Sequence, residues 1–206
     1  MSRKIIIYLI NIVLVSMFLI GTTISENEEV AASGNWKGYA LYRDGVLGNL
    51  NDHAALMDSY NISQNYPIIQ ASGPNKVVDW VSWFGFLDGE NYIGLYKPNN
   101  CNMSYWGERF VSRARELRGI PYIALGQIDY EDGSYSLVTP QRITNLRCDG
   151  VVEYVYEWFG FRVWGSDNGW DISRNALLNI SEHTGFIISP RMQRNFLQQV
   201  STNPPN

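Results

Sequence analysis

Between residues 37 and 97 apolar and polar positions alternate or cluster in short runs, each closed by Asn, Ser, Gly, Pro or Asp. Lys37-Gly38-Tyr39-Ala40-Leu41-Tyr42-Arg43 predicts a first strand, stopped by Asp44-Gly45. His53 to Asp58 predicts a second and Pro67-Ile68-Ile69-Gln70-Ala71 a third. Residues 79–86 and 91–97, rich in aromatic and aliphatic side chains around Asp88-Gly89, predict a hairpin. From Tyr105 to Arg118 the period changes. Phe110, Val111, Ala114 and Leu117 recur at three and four while Arg113, Arg115 and Arg118 take the other face, which predicts an amphipathic helix stopped by Gly119 and Pro121. A second helix is predicted from Cys148 to Phe159, with Val151, Val152, Val155 and Phe159 on one stripe. A shorter one starts at Ser189-Pro190, a cap followed by proline at the first helical position. Strands followed by helices, without strand-helix-strand alternation, predict an α+β domain.

The ends of the chain change where this domain is expected to work. Arg3 and Lys4 precede an apolar run from Ile5 to Ile20, and an acidic spacer then leads to Val30-Ala31-Ala32. That pattern predicts a secretory signal peptide over 1–32, cleaved after Ala32, and one domain over 33–206. The run is also about long enough for an uncleaved membrane anchor, which is the alternative. No cysteine follows it closely, so lipid attachment there is not expected. With 16 basic and 20 acidic residues the formal net charge is −4, which gives no electrostatic case for a nucleic-acid partner.

Candidate chemistry rests on few residues. Cys148 stands where a helix is about to start, and the unpaired N–H groups and positive dipole end of a helix favour thiolate over thiol. Two histidines are available as bases. His53 opens the second strand, and His183 lies in a polar stretch that reads as a surface turn. Export invites a disulfide between Cys101 and Cys148, but Cys101 sits in a polar loop, Asn99-Asn100-Cys101-Asn102, as an ordinary thiol. No C-x-x-C or H-E-x-x-H run occurs, and Asp129 to Asp132 and Asp167 to Asp171 read as solvated turns, so no metal is expected. Trp80, Trp83, Phe84 and Phe86 could line one wall of a groove and Trp158, Trp164 and Trp170 another, or simply fill the core and its edges.

The run Arg147-Cys148-Asp149-Gly150-Val151-Val152-Glu153-Tyr154-Val155-Tyr156 resembles the D-C-S-G-L-V-x-Y-x-Y helix start of NlpC/P60 cysteine peptidases, a papain-like group. Here the histidine strand comes first, an order that resembles the circularly permuted branch, the YaeF/YiiX-like proteins related to lecithin retinol acyltransferases. His53-Ala54-Ala55-Leu56-Met57 stands for that branch's histidine strand, Ile68-Ile69-Gln70-Ala71 for the strand after it, and Gly119-Ile120-Pro121-Tyr122 for its G-x-P-Y. The likeness covers about residues 37 to 160. It departs at Arg147, where the pattern has Asp, and at Asp149, where it has Ser.

The resemblance implies a permuted papain-like fold, with an antiparallel sheet or small barrel packed against helices and the nucleophile at a helix N-terminus. It implies Cys148 as nucleophile, His53 as base and Gln70 as the group that orients the imidazole. The Cys148 backbone N–H would supply part of an oxyanion hole, and the Tyr122 hydroxyl would lie near the substrate. No cofactor is expected. The activity expected is an exported cysteine hydrolase of the cell envelope that cleaves an amide in a peptide or peptidoglycan stem through a thioester acyl-enzyme. The alternatives are a lipid-directed thiol acyltransferase or esterase and a non-catalytic envelope-binding module.

Overall fold

The computed structural model describes residues 34–45, 52–124, 126–131, 137–163 and 189–206. The predicted signal peptide, His183, Trp164, Trp170, Asp132 and the Asp167 to Asp171 stretch lie outside these residues. The described chain is mixed α+β, an antiparallel sheet packed against helices.

Three apolar runs make the centre of the sheet: β1 (Ala40–Arg43), β2 (His53–Met57) and β3 (Ile68–Ala71). Nearly every residue in them is buried, so these strands are enclosed on both faces rather than half-solvated as antiparallel strands commonly are. With β4 (Val78–Val81), β5 (Tyr92–Lys97) and β8 (Gln198–Ser201) they form a six-stranded sheet in the order β4-β3-β2-β1-β5-β8, every neighbouring pair antiparallel. A second, two-stranded sheet pairs β6 (Ile128–Tyr130) with β7 (Ile143–Leu146).

The predicted hairpin around Asp88-Gly89 does not form. β4 pairs with β3 at one edge, whereas β5 crosses to the far side of β1. Between them Trp83–Leu87 winds into the short helix α1. Ser82 decides this locally, because its Oγ accepts the Gly85 N–H at 3.1 Å as an N-cap, and Asp88 closes the turn in the left-handed region at φ 51°. The Asp129 stretch read as a turn is likewise strand β6.

Helix α2 (Met103–Arg115) buries Met103, Gly107, Phe110, Val111 and Ala114, while Arg113 and Arg115 occupy its last turn, where they suit the dipole. Helix α3 (Cys148–Trp158) lies against β2 and β3 and touches α2 and α4 (Pro190–Gln193). Its residues from Cys148 to Glu157 are all buried, well beyond the single apolar stripe that the sequence predicts. Phe110 of α2 meets Tyr156 of α3 ring to ring at 4.8 Å, and the Tyr156 hydroxyl donates to Gly38 O at 2.8 Å, fixing α3 to the start of β1.

Candidate active site

The segment leading into α3 is held from two sides. Leu146 N–H donates to Pro121 O at 2.9 Å, Ile123 N–H donates to Leu146 O at 3.2 Å, and Arg147 N–H donates to Gln127 O at 2.9 Å. Arg147 is the N-cap residue and offers no side-chain cap, so Cys148 opens the first turn with its donors uncovered by the usual Ser or Asp. Gly150 permits this approach, because a Cβ there would stand 2.3 Å from Gln127 O. The glycine of the Arg147-Cys148-Asp149-Gly150 run is thus a packing requirement of the helix start.

The structure sets the Cys148 sulfur against the histidine strand and His53 against Gln70. The Ala54 N–H, one residue after His53, donates to the Cys148 sulfur, and Asp149 N–H does so from within the helix. His53 Nε2 lies 2.6 Å from Gln70 Oε1. An amide oxygen can only accept, so Nε2 carries the proton and Nδ1 keeps the lone pair. Gln70 Nε2 donates to Ser72 Oγ at 3.1 Å, so the amide is held at both ends. Ser72 was not singled out by the sequence reading, although its place two residues beyond Gln70 on the same strand face was available as a signal. Tyr122 is half-buried, paired through its backbone with Leu146, and near enough to Cys148 and Arg147 to feel their charges; burial is the main reason its hydroxyl is pushed up.

The electrostatics differ from those of a bare helix terminus. Burial, and after it Asp149, pushes the Cys148 thiol up to about 12, against the N–H donors and Arg147 that pull it down. Burial, and after it Arg43, pushes His53 down to about 4. At neutral pH Cys148 therefore rests as a thiol and His53 as a neutral imidazole, and the thiolate that the helix start alone predicts is not the resting form. Magnitudes explain the difference: a helix end contributes at most about 2 kcal/mol, whereas full burial moves a titration by up to about 3 to 5 units at roughly 1.4 kcal/mol each. Cys101 lies in the loop between β5 and α2, but it is buried there rather than an ordinary accessible thiol; it forms no disulfide with Cys148, and its sulfur meets Met103 Sδ at 3.6 Å.

Behind Cys148 lies a polar network absent from the sequence reading. Arg147 grips the buried Asp149 through Nε at 2.6 Å and Nη2 at 2.7 Å. Burial raises the Asp149 carboxyl despite that pairing. Glu153, one turn on and fully buried, accepts from Gln127 Nε2 at 2.7 Å and from Gln193 Nε2 at 2.9 Å. Gln193 also donates to Asp149 O at 2.9 Å and accepts from the Tyr42 hydroxyl at 2.8 Å, tying α4 and β1 to the first turn of α3.

Among the described residues, the aromatics of the first predicted wall are split between core and surface. Phe86 is core, with its ring 6.0 Å from that of His53 and 5.8 Å from that of Trp83. Trp80 lies under Arg118, Trp158 lies under Arg113, and Phe84 stands 83% exposed. A groove of about 440 Å³ lined by Asn99, Asn100, Gly160, Phe161, Arg162, Asn195 and Phe196 belongs to the opposite end of β5 and α3 from Cys148, and takes no part in the site.

Comparison of the chain with protein-family models, with curated proteins and with solved structures gives no match in any of the three.

Proposed function

We propose that the chain is an exported cysteine hydrolase, a permuted relative of the NlpC/P60 enzymes, that cleaves an amide of a peptide or peptidoglycan stem. The observation that supports this best is the joint placement of the His53-Gln70 hydrogen bond at 2.6 Å and the Cys148 sulfur on the backbone N–H that follows His53. Burial supplies a neutral imidazole able to accept a proton at Nδ1.

In this mechanism Cys148 gives its proton to His53 Nδ1 as its sulfur attacks the carbonyl carbon, and the imidazolium stays oriented by Gln70. The oxyanion is met by the Cys148 N–H at the uncapped helix start, with the Tyr122 hydroxyl alongside. His53 then protonates the departing nitrogen as the C–N bond breaks, leaving a thioester on Cys148. Water, deprotonated by the same imidazole, hydrolyses the thioester and restores the thiol. Export follows from the basic pair and apolar run at residues 3–20 and the small residues before Ser33.

The test is digestion of purified peptidoglycan fragments and their stem peptides by residues 33–206, with new termini read by mass spectrometry. The expected result is cleavage by the wild type and none by Cys148→Ser. Cleavage that survives Cys148→Ser overturns the nucleophile, and a folded wild type that cleaves no amide in these substrates overturns the activity.

A further inference from the structure

Arg43 lies directly across the β1–β2 ladder from His53, which puts the two side chains on one face of the sheet. It is 5% exposed, and a buried guanidinium beside a protonatable imidazole is a costly arrangement. The fold holds it there on two sides: Nε donates to Phe86 O at 2.5 Å and Nη1 donates to Asp44 O at 2.6 Å. The Phe86 ring lies 6.0 Å from the Arg43 guanidinium carbon and 6.0 Å from the His53 ring, so one core side chain packs near both the cation and the imidazole. Both hydrogen-bond acceptors of Arg43 are neutral carbonyls. Arg147, by contrast, has its charge offset by the two-point pair with Asp149. Among the described residues, two arginines have charges that reach Cys148, and Arg43 is the one with no carboxylate in contact.

We propose that Arg43 is a positioning residue of the thiol site, its fixed charge holding His53 in the neutral, proton-accepting form and stabilising the negative charge that develops on the Cys148 sulfur as the proton leaves. The second half rests on the hydrolase reading above; the first half does not. The groups that face His53 are Arg43 from β1, Gln70 from β3 and Asp88 after α1, and Asp88 works against Arg43, while the Cys148 sulfur of α3 takes the N–H of the next residue, Ala54. Those that face Cys148 include Asp149, Arg147 and Tyr122.

The test is the NMR titration of histidine-labelled protein, which needs no substrate and therefore stands even where no amide is cleaved. The chain has two histidines, told apart with His183→Gln. Arg43→Gln, which keeps a donor for Phe86 O and removes the charge, is expected to raise the His53 midpoint by about one unit, while Arg43→Lys leaves it near wild type. The acid limb of kcat/KM should move up with it. A folded Arg43→Gln with an unmoved His53 midpoint overturns the proposal. Should Arg43→Gln not fold, Arg43→Met decides on the same readout: it keeps the reach of the buried side chain and removes the charge, so the midpoint must rise, and an unmoved midpoint there overturns the proposal as well.

Discussion

Cys101 and Cys148 are both nearly enclosed, at 3% and 5% exposure, and burial pushes both thiols up to about 12. Their neighbourhoods are unlike. The Cys101 sulfur meets a thioether, its carbonyl accepts from Lys97 Nζ at 3.3 Å, and no imidazole lies beside it among the described residues. The Cys148 sulfur takes two backbone N–H donors at a helix start and stands one residue from a histidine that Gln70 orients. The pair shows that resting proton affinity does not tell the two thiols apart. What separates them is the setting of Cys148, whose sulfur sits on the backbone of the strand that carries the Gln70-bound histidine.

The largest expected effect tests that separation at the base. His53→Ala should lower turnover by roughly 10²- to 10⁴-fold, the range that a general base supplies, while Cys101→Ala leaves turnover unchanged. Initial rates on the same substrate check both. If Cys101→Ala removes turnover and His53→Ala does not, the comparison is reversed.

Next comes the backbone that sets Cys148 apart. Gly150→Ala would drive a methyl group into Gln127 O, 2.3 Å from where its Cβ would stand, so denaturant unfolding should show a loss of about 1 to 3 kcal/mol. Turnover should fall as the helix start shifts. An Ala variant as stable and active as wild type would mean that the close approach plays no part in placing Cys148.

Gln70→Ala removes one orienting hydrogen bond worth about 1 kcal/mol, so turnover should drop roughly five- to tenfold, well short of His53→Ala, with the fold intact. A loss equal to that of His53→Ala would give the amide a larger share in the chemistry than orientation.

The last effect, read on the fold and not on turnover, is on stability against pH. His53 has its folded titration lowered from 6.5 to about 4, so the unfolded chain binds a proton there that the folded chain refuses. Stability from this group is therefore complete at neutral pH, falls as pH drops through 6.5, and levels off below about 4. Both cysteines are raised from 9.0, so above pH 9 the unfolded chain loses protons that the folded chain keeps, and stability falls as pH rises. Denaturant midpoints should show the acid loss vanish in His53→Gln and the alkaline loss shrink in either cysteine variant.

Much of this site was legible in the sequence because its signals are local. The apolar run from His53 to Asp58, the Gln70 strand and the helical pattern that starts at Cys148 each lie within a dozen residues, and the elements form close to where those patterns put them. What was not legible depends on register and enclosure. Arg43 meets His53 only once β1 and β2 are aligned, and the Ser82 cap that turns a predicted hairpin arm into α1 competes with an apolar run that reads equally well as strand. Asp149 and Glu153 carry the signature of a solvated helix face. They are buried because Gln127 and Gln193, far apart in the chain, come to satisfy them. The resting thiolate was misjudged for the same reason, since a helix start is visible in sequence and the burial that outweighs it is not.

The central claim, that His53 draws the proton from Cys148 and not from Cys101, is tested most directly by site-resolved alkylation. Folded protein is treated with iodoacetamide near pH 7.5, sampled over time and mapped by mass spectrometry, for the wild type and His53→Ala. The account predicts that Cys148 is modified well before Cys101 in the wild type, and that His53→Ala erases this lead. Modification of Cys101 first, or a lead at Cys148 that survives His53→Ala, would contradict it.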